Sequence, residues 1–165
     1  MFDLSLGNPV MEPPEEVSKA LIECARDESP GVHRYMPNAG LLDVREAISE
    51  SLSPECKVKL LAKDVVMVCG AAGGLNITLK TLLDPGDEVI IFTPYFVEYL
   101  FYVDNHGGKA VAVPTLEDFH LDFNTLKNAL NEKTKAVIIN SPNNPTGVVY
   151  SPKELQELAN ILKEH

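Results

Sequence analysis

Three short stretches hold the residues whose types and spacing could do chemistry. Gly70-Ala71-Ala72-Gly73-Gly74 joins the end of an apolar run to the start of a helical pattern. Small residues at such a junction let backbone N–H groups and the positive end of a helix approach a phosphate. Tyr95, Phe96, Tyr99, Phe101 and Tyr102 crowd the segment after Pro94, where a ring can lie flat on a planar ligand. Asn143-Asn144-Pro145-Thr146-Gly147 follows the β-branched run Ala136–Asn140, and open α/β sheets place ligands outside the carboxyl ends of their strands. Each stretch also has a plainer use. Glycine serves tight strand-to-helix turns with no ligand at all, aromatic clusters fill cores and interfaces, and Asn-Pro makes turns.

Other chemistries find less support. The glycine loop lacks the third glycine of a dinucleotide fingerprint and the Lys-Ser/Thr of a Walker phosphate loop. Cys69 touches that loop but reads as a small packing residue on a buried strand. His33, His106, His120 and His165 show no ligand spacing, and none adjoins a Ser or Cys in a nucleophile motif. No metal site is expected.

The elements that must position these stretches follow from periodicity and breakers. Pro13-Pro14-Glu15-Glu16 opens a first helix with residues favoured in a first turn. Val17, Ala20, Leu21 and Cys24 give it one apolar stripe, and Leu41, Val44, Ile48 and Leu52 space a second helix for burial. From Asp64 the pattern becomes strand, helix, strand. Val65–Cys69 reads as a strand, and Leu75–Leu83 as a helix stopped by Asp84-Pro85-Gly86-Asp87. Glu88–Phe92 reads as a strand, Phe96–Asn105 as a helix and Ala110–Val113 as a strand. Asn124–Leu130 then reads as a helix, Ala136–Asn140 as a strand, and the chain from Pro152 onward as a helix. Strands alternating with helices predict an α/β fold, three αβα layers around a largely parallel sheet reached by right-handed crossovers.

The chain of 165 residues is long enough for a real core, and its 45% hydrophobic and 23% charged composition is that of a folded soluble protein. A net charge of -10 and a pI near 4.8 argue against nucleic acid or an anionic membrane as partner. No apolar stretch approaches the ~20 residues of a membrane span, and no charged-then-apolar leader opens the sequence. Cys24, Cys56 and Cys69 are odd in number and widely spaced, which suits reduced cytoplasmic thiols.

Taken together, the motifs resemble the fold-type I pyridoxal-phosphate aminotransferases of class I/II. Leu6-Gly7-Asn8-Pro9 and Arg34-Tyr35-Met36-Pro37-Asn38-Ala39-Gly40-Leu41, running on to Val44-Arg45-Glu46-Ala47-Ile48, look like that family's opening. Gly70-Ala71-Ala72, Leu83-Asp84-Pro85-Gly86-Asp87-Glu88-Val89, Pro94-Tyr95-Phe96 and Asn144-Pro145-Thr146-Gly147 follow in family order and spacing. The resemblance covers residues 4 to 165. It implies an N-terminal segment with helices over residues 1–50 and part of the large cofactor-binding domain over residues 51–165.

The resemblance also implies roles. Gly7 would line the side that takes the substrate carboxylate. Tyr35 would donate its hydroxyl to the cofactor phosphate of a neighbouring subunit. Gly70, Ala71 and Ala72 would hold their own subunit's phosphate, Phe96 would stack on the pyridine ring, and Asn144 would hydrogen-bond the ring's 3-oxygen. Pyridoxal 5'-phosphate would act as electron sink in the full-length enzyme, this chain alone holding it weakly if at all, and an amino acid and a 2-oxo acid would exchange an amino group in a cytoplasmic homodimer. The family's pyridine-pairing aspartate, 3-oxygen tyrosine, Schiff-base lysine and carboxylate-binding arginine all follow the Asn-Pro-Thr-Gly strand. The resemblance therefore leaves no catalytic residue in this chain, which reads as trimmed at both ends and inactive alone. Lys153 sits at a helix start and lacks the family lysine's context. Family members often carry cis prolines at Thr93-Pro94 and Asn144-Pro145. The alternative is a non-catalytic phosphate-ligand-binding or assembly module built on the same loop.

Overall fold

The computed structural model describes residue 7 and residues 10–165. The chain forms two compact units, Met1–Met67 and Val68–His165.

The first unit is helical. Helix α1 spans Glu15–Arg26, with Glu15 and Glu16 in its first turn and Arg26 in its last, charges that complement the helix dipole. None of its residues is buried, so the stripe of Val17, Ala20, Leu21 and Cys24 lies open, against the expectation from periodicity. Helix α2 spans Leu42–Cys56, includes Pro54, and ends at Lys57 in a left-handed conformation. Here too the pattern overstates burial: Leu41, Val44 and Leu52 are exposed, while Ser49 is the buried residue. Polar bonds close this unit instead. The Arg45 guanidinium donates to the carbonyls of Gly40 and Ala62 at 3.2 and 2.9 Å. The Leu60 N–H donates to Ser53 Oγ at 2.9 Å.

The second unit holds the sheet. Its elements are α3 (Gly70–Leu82), β1 (Glu88–Thr93), α4 (Glu98–Asp104), β2 (Lys109–Pro114), α5 (Phe123–Ala129), β3 (Thr134–Ile138) and α6 (Pro152–Glu164). The strands lie in the order β2-β1-β3, and both pairings are parallel. The central strand β1 is buried on both faces, and alternation sorts its side chains between two layers. Val89 and Ile91 join Leu79, Leu83, Tyr102 and Val103 of the α3–α4 side. Ile90 and Phe92 join Val113, Leu121, Leu126, Leu158 and Ile161 of the α5–α6 side. The three-layer αβα arrangement is thus present with a wholly parallel sheet.

Caps set the ends of the short helices. Asp122 accepts the N–H groups of Asn124 and Thr125 at 2.9 and 3.1 Å and opens α5. Ser151 and Glu154 exchange bonds in a capping box around Pro152 and open α6. The strand expected over Val65–Cys69 is not one. Val65 is extended, but a strand is made by its ladder, and residues 65–69 form none. Val66, Met67 and Val68 stay exposed instead. Helix α4 starts two residues later than periodicity suggests and β3 stops two residues earlier, at Ile138. Thr93-Pro94 and Asn144-Pro145 are cis as expected from the resemblance, and so is Ser141-Pro142.

Candidate functional site

Parallel pairing brings three separate segments of the second unit to one edge. Ile91 of β1 lies opposite Ile138 of β3. The chain leaves β1 through Thr93-Pro94 toward Phe96, and leaves β3 through Ile139-Asn140 toward Asn144. Helix α3 feeds β1 through the Asp84–Asp87 turn and therefore runs against it. Its 13 residues rise about 20 Å, close to the ~20 Å length of a six-residue strand. The start of α3 is thus level with the carboxyl end of β1. This topology puts the segments that carry Gly70–Ala72, Phe96 and Asn144 on the carboxyl side of the sheet.

The start of α3 is left open for an anion. No side chain caps it. Gly70 takes a left-handed backbone, φ +70°, and a Cβ there would meet nothing within 4 Å. Its own N–H turns back to the Val68 carbonyl at 3.1 Å. The N–H groups of Ala71 and Ala72, second and third in the helix, have no intrahelical acceptor by helix geometry. They sit at the positive end of the helix dipole.

The aromatic wall is built edge to face. Phe96 is half-buried, with Tyr99 standing against it at 5.7 Å between centroids and 82° between planes. Tyr102 follows at 6.5 Å and donates its hydroxyl to Glu98. That bond, together with burial, raises the Tyr102 phenol above its ordinary pKa, and burial does the same for Tyr99. Thr115 Oγ1 donates to the Thr93 carbonyl at 2.8 Å and ties the end of β1, from which the wall springs, to the loop after β2.

Asn144 lies in a loop knitted by its own bonds. Asn143 N–H donates to Val148 O at 2.9 Å, and Gly147 N–H to Asn143 O at 2.7 Å. Asn143 Oδ1 accepts from Thr146 Oγ1 at 3.0 Å. Asn144's backbone N–H donates to Asn140 Oδ1 at 2.7 Å. Its side chain is exposed and makes no hydrogen bond among the described residues, so its amide is available to a ligand. A ligand carrying an anion, a flat ring and an acceptor atom would find a complement for each along this edge.

The remaining candidates belong to the first unit. Gly7 is exposed, with nothing within 4 Å of the place a Cβ would take. Tyr35 is fully exposed beside a concavity of about 750 Å³ lined by Val32, Arg34, Met36, Pro37 and Leu41. Lys153 is exposed in the first turn of α6. Among the described residues, no group of His, Cys, Asp and Glu could hold a metal ion, and no helix is long and apolar enough to cross a membrane. Sequence reasoning did not single out Asn140 and Thr115, whose side chains bond the backbone of Asn144 and Thr93.

Comparison with known proteins adds a family. The sequence model of "Aminotransferase class I and II" matches residues 1–165. The aspartate aminotransferase of Bacillus subtilis (strain 168) is 37% identical over 100% of this chain and 42% of its own length. The aspartate/prephenate aminotransferase of Thermus thermophilus is 37% identical over 98% of this chain and 42% of its own length. Among solved structures, an amino transferase from Eubacterium rectale superposes with a TM-score of 0.94 at 37% identity, covering 99% of this chain and 42% of that one. The aromatic aminotransferase of Pyrococcus horikoshii OT3 gives a TM-score of 0.89 at 39% identity, covering 97% and 43%. The chain thus spans about two fifths of the length of the relatives it matches.

Proposed function

The chain belongs to the class I and II aminotransferases, and from that premise we propose that it is the cofactor-cradling part of a pyridoxal-phosphate-dependent transaminase. The enzyme would move an amino group between an amino acid and a 2-oxo acid. The observation that carries this reading is the uncapped start of α3, open at Gly70, on the same sheet edge as Phe96 and the unengaged amide of Asn144. Those residues fit the cofactor's three recognisable parts: a phosphate, a flat pyridine ring and a 3-oxygen.

In this reading the Ala71 and Ala72 N–H groups bind the phosphate dianion, and the α3 dipole adds ~0.3–1 kcal/mol. Gly70 keeps the approach clear, since any side chain there would project into open space in front of the helix. Phe96, against which the Tyr99 edge stands, would pack on the ring and keep water from it. Asn144 would donate its side-chain N–H to the 3-oxygen and favour the ionised oxygen there. When bound, the cofactor supplies an electron sink for bond-breaking at the substrate's α carbon. Gly7 leaves room on the carboxylate side. Tyr35, fully exposed, would donate its hydroxyl to the phosphate of a second subunit in a homodimer. The lysine that carries the cofactor and moves the substrate proton, and the arginine that takes the carboxylate, belong in this reading to residues outside these 165. The chain alone is then inactive. A cytoplasmic location goes with the same reading.

The test is amide shift mapping of the isotopically labelled chain with pyridoxine 5'-phosphate, which lacks the aldehyde and binds without covalent chemistry. Amides 71 and 72 and the Asn144 side-chain N–H should move together and saturate together, while pyridoxine without its phosphate should leave amides 71 and 72 unmoved. Shifts spread evenly over the surface, or equal for both ligands, would overturn the reading.

A further inference from the structure

We propose that Asn140 is a positioning residue for Asn144, its side-chain carbonyl fixing the backbone from which the donor to the ring's 3-oxygen is presented. The inference rests on the cofactor reading above and goes beyond it. It starts from the distribution of bonds in the loop. Ser141 is held by the Tyr150 N–H, which donates to its hydroxyl at 3.1 Å. Asn143 is held by Val148, Gly147 and Thr146. Pro145 has no N–H to give. Among the described residues one bond reaches the backbone of Asn144, and it comes from Asn140 Oδ1 at 2.7 Å.

Asn140 is well placed for this. It lies two residues past Ile138, the last residue of β3, a short step from the sheet. Its half-buried side chain carries that order four residues forward. The acceptor must be Oδ1, because the partner is an N–H. A neutral amide does this without adding charge, whereas a carboxylate would place a negative charge near the ring oxygen that Asn144 is to stabilise as an anion. Without the tether, Asn144 keeps its amide but loses its aim, and a hydrogen bond weakens steeply as its angle falls.

Two measurements on the 165-residue chain test this. The first is hydrogen exchange without ligand. In Asn140→Ala the Asn144 amide should exchange about tenfold faster, the equivalent of one hydrogen bond's net worth. The amides of Asn143 and Gly147 should keep their protection, which shows the loop still folded, and Asn140→Asp should restore the slow exchange at 144. Unchanged exchange at 144 in Asn140→Ala overturns the inference. The second is the absorbance titration of the 3-hydroxyl of bound pyridoxine 5'-phosphate. Asn144→Ala should raise its apparent pKa, Asn140→Ala should raise it in the same direction, and the double variant should raise it no further than Asn144→Ala. Additive shifts, or a wild-type titration in Asn140→Ala beside a shifted one in Asn144→Ala, overturn the inference and leave the cofactor reading standing. A chain that holds no pyridoxine 5'-phosphate, or whose titration Asn144→Ala leaves unmoved, overturns the cofactor reading and this inference with it.

Discussion

Replacing Gly108 with alanine should destabilise the second unit through a clash that can be located and then relieved. A Cβ at Gly108 would stand 2.8 Å from Leu83 Cδ1, 3.0 Å from Val103 Cγ1 and 3.3 Å from the Val103 carbonyl oxygen. Carbon atoms in ordinary contact lie ~3.5–4.0 Å apart. The Leu83 methyl is the far end of a flexible side chain and can rotate away. Val103 is wholly buried and β-branched, with little χ1 freedom. It must carry α4 with it. Overpacking of this kind costs about 1–3 kcal/mol. The backbone at Gly108 is one that alanine adopts without strain, so the stiffer unfolded chain returns about 0.4–1 kcal/mol. The net loss should be roughly 0.5–2 kcal/mol. Urea unfolding followed by tyrosine fluorescence reports it, since the chain has no tryptophan and Tyr95, Tyr99, Tyr102 and Tyr150 all lie in the second unit. Leu83→Ala alone should cost about 2–5 kcal/mol, but it also vacates the space that the new Cβ needs. The double variant should therefore cost less than the sum, by about 0.5–2 kcal/mol. Gly86→Ala is the control: φ is +93° and the space is open, so its loss should be backbone strain alone and add independently to Leu83→Ala. Strict additivity of the Gly108 and Leu83 changes, or a Gly108→Ala chain as stable as the parent, would refute the packing argument.

Three further outcomes are expected. His120 Nδ1 lies 2.7 Å from Glu154 Oε1, and that bond raises the imidazole pKa against the opposing effect of burial, with Asp118 adding to it. The folded value exceeds the unfolded one, so the stabilisation is full below the unfolded pKa near 6.5 and fades as pH rises through the folded value. Urea midpoints from about pH 5 to 9 should fall across that window, and His120→Gln should flatten the fall; an unchanged profile in that variant would exclude the pair as its source. Pyridoxal phosphate followed by borohydride should label several exposed lysines, Lys57, Lys59 and Lys153 among them, at comparable yields, and stoichiometric labelling of one lysine would contradict the assignment of no catalytic lysine to this chain. Sedimentation over a concentration series should show association, because among the described residues β2 and β3 each pair on one side only and Val66 and Phe101 are 57% and 60% exposed; free edges and wet apolar surface invite a second chain. A strictly monomeric species would count against that reading of the surface.

What the sequence made legible divides along a physical line. Local signals located almost every element: Pro13-Pro14 before α1, Asp84-Pro85-Gly86-Asp87 before β1, and Ser151-Pro152 before α6 all act through the backbone of the residues that carry them. Pairing and burial are properties of two segments at once, and there the pattern misled. Val65–Cys69 has a strand's composition and an extended start but no ladder, and the stripes on α1 and α2 bury little. The site divides in the same way. Gly70–Ala72, Phe96 and Asn144 could be put forward from residue type and from the family resemblance, and the alternation of strands and helices implies the parallel pairing that brings their segments to one side of the sheet. Asn140 was silent because nothing in its own identity distinguishes a tether from a turn residue; its partner is a backbone N–H four residues on. Thr115 was silent for a similar reason, its acceptor being the Thr93 carbonyl across two strands. Residues that touch a ligand are constrained by the ligand's chemistry and so can be read in one dimension. Residues that aim them are constrained by distances, and the 2.7 Å from Asn140 to Asn144 exists only after the chain has turned back on itself.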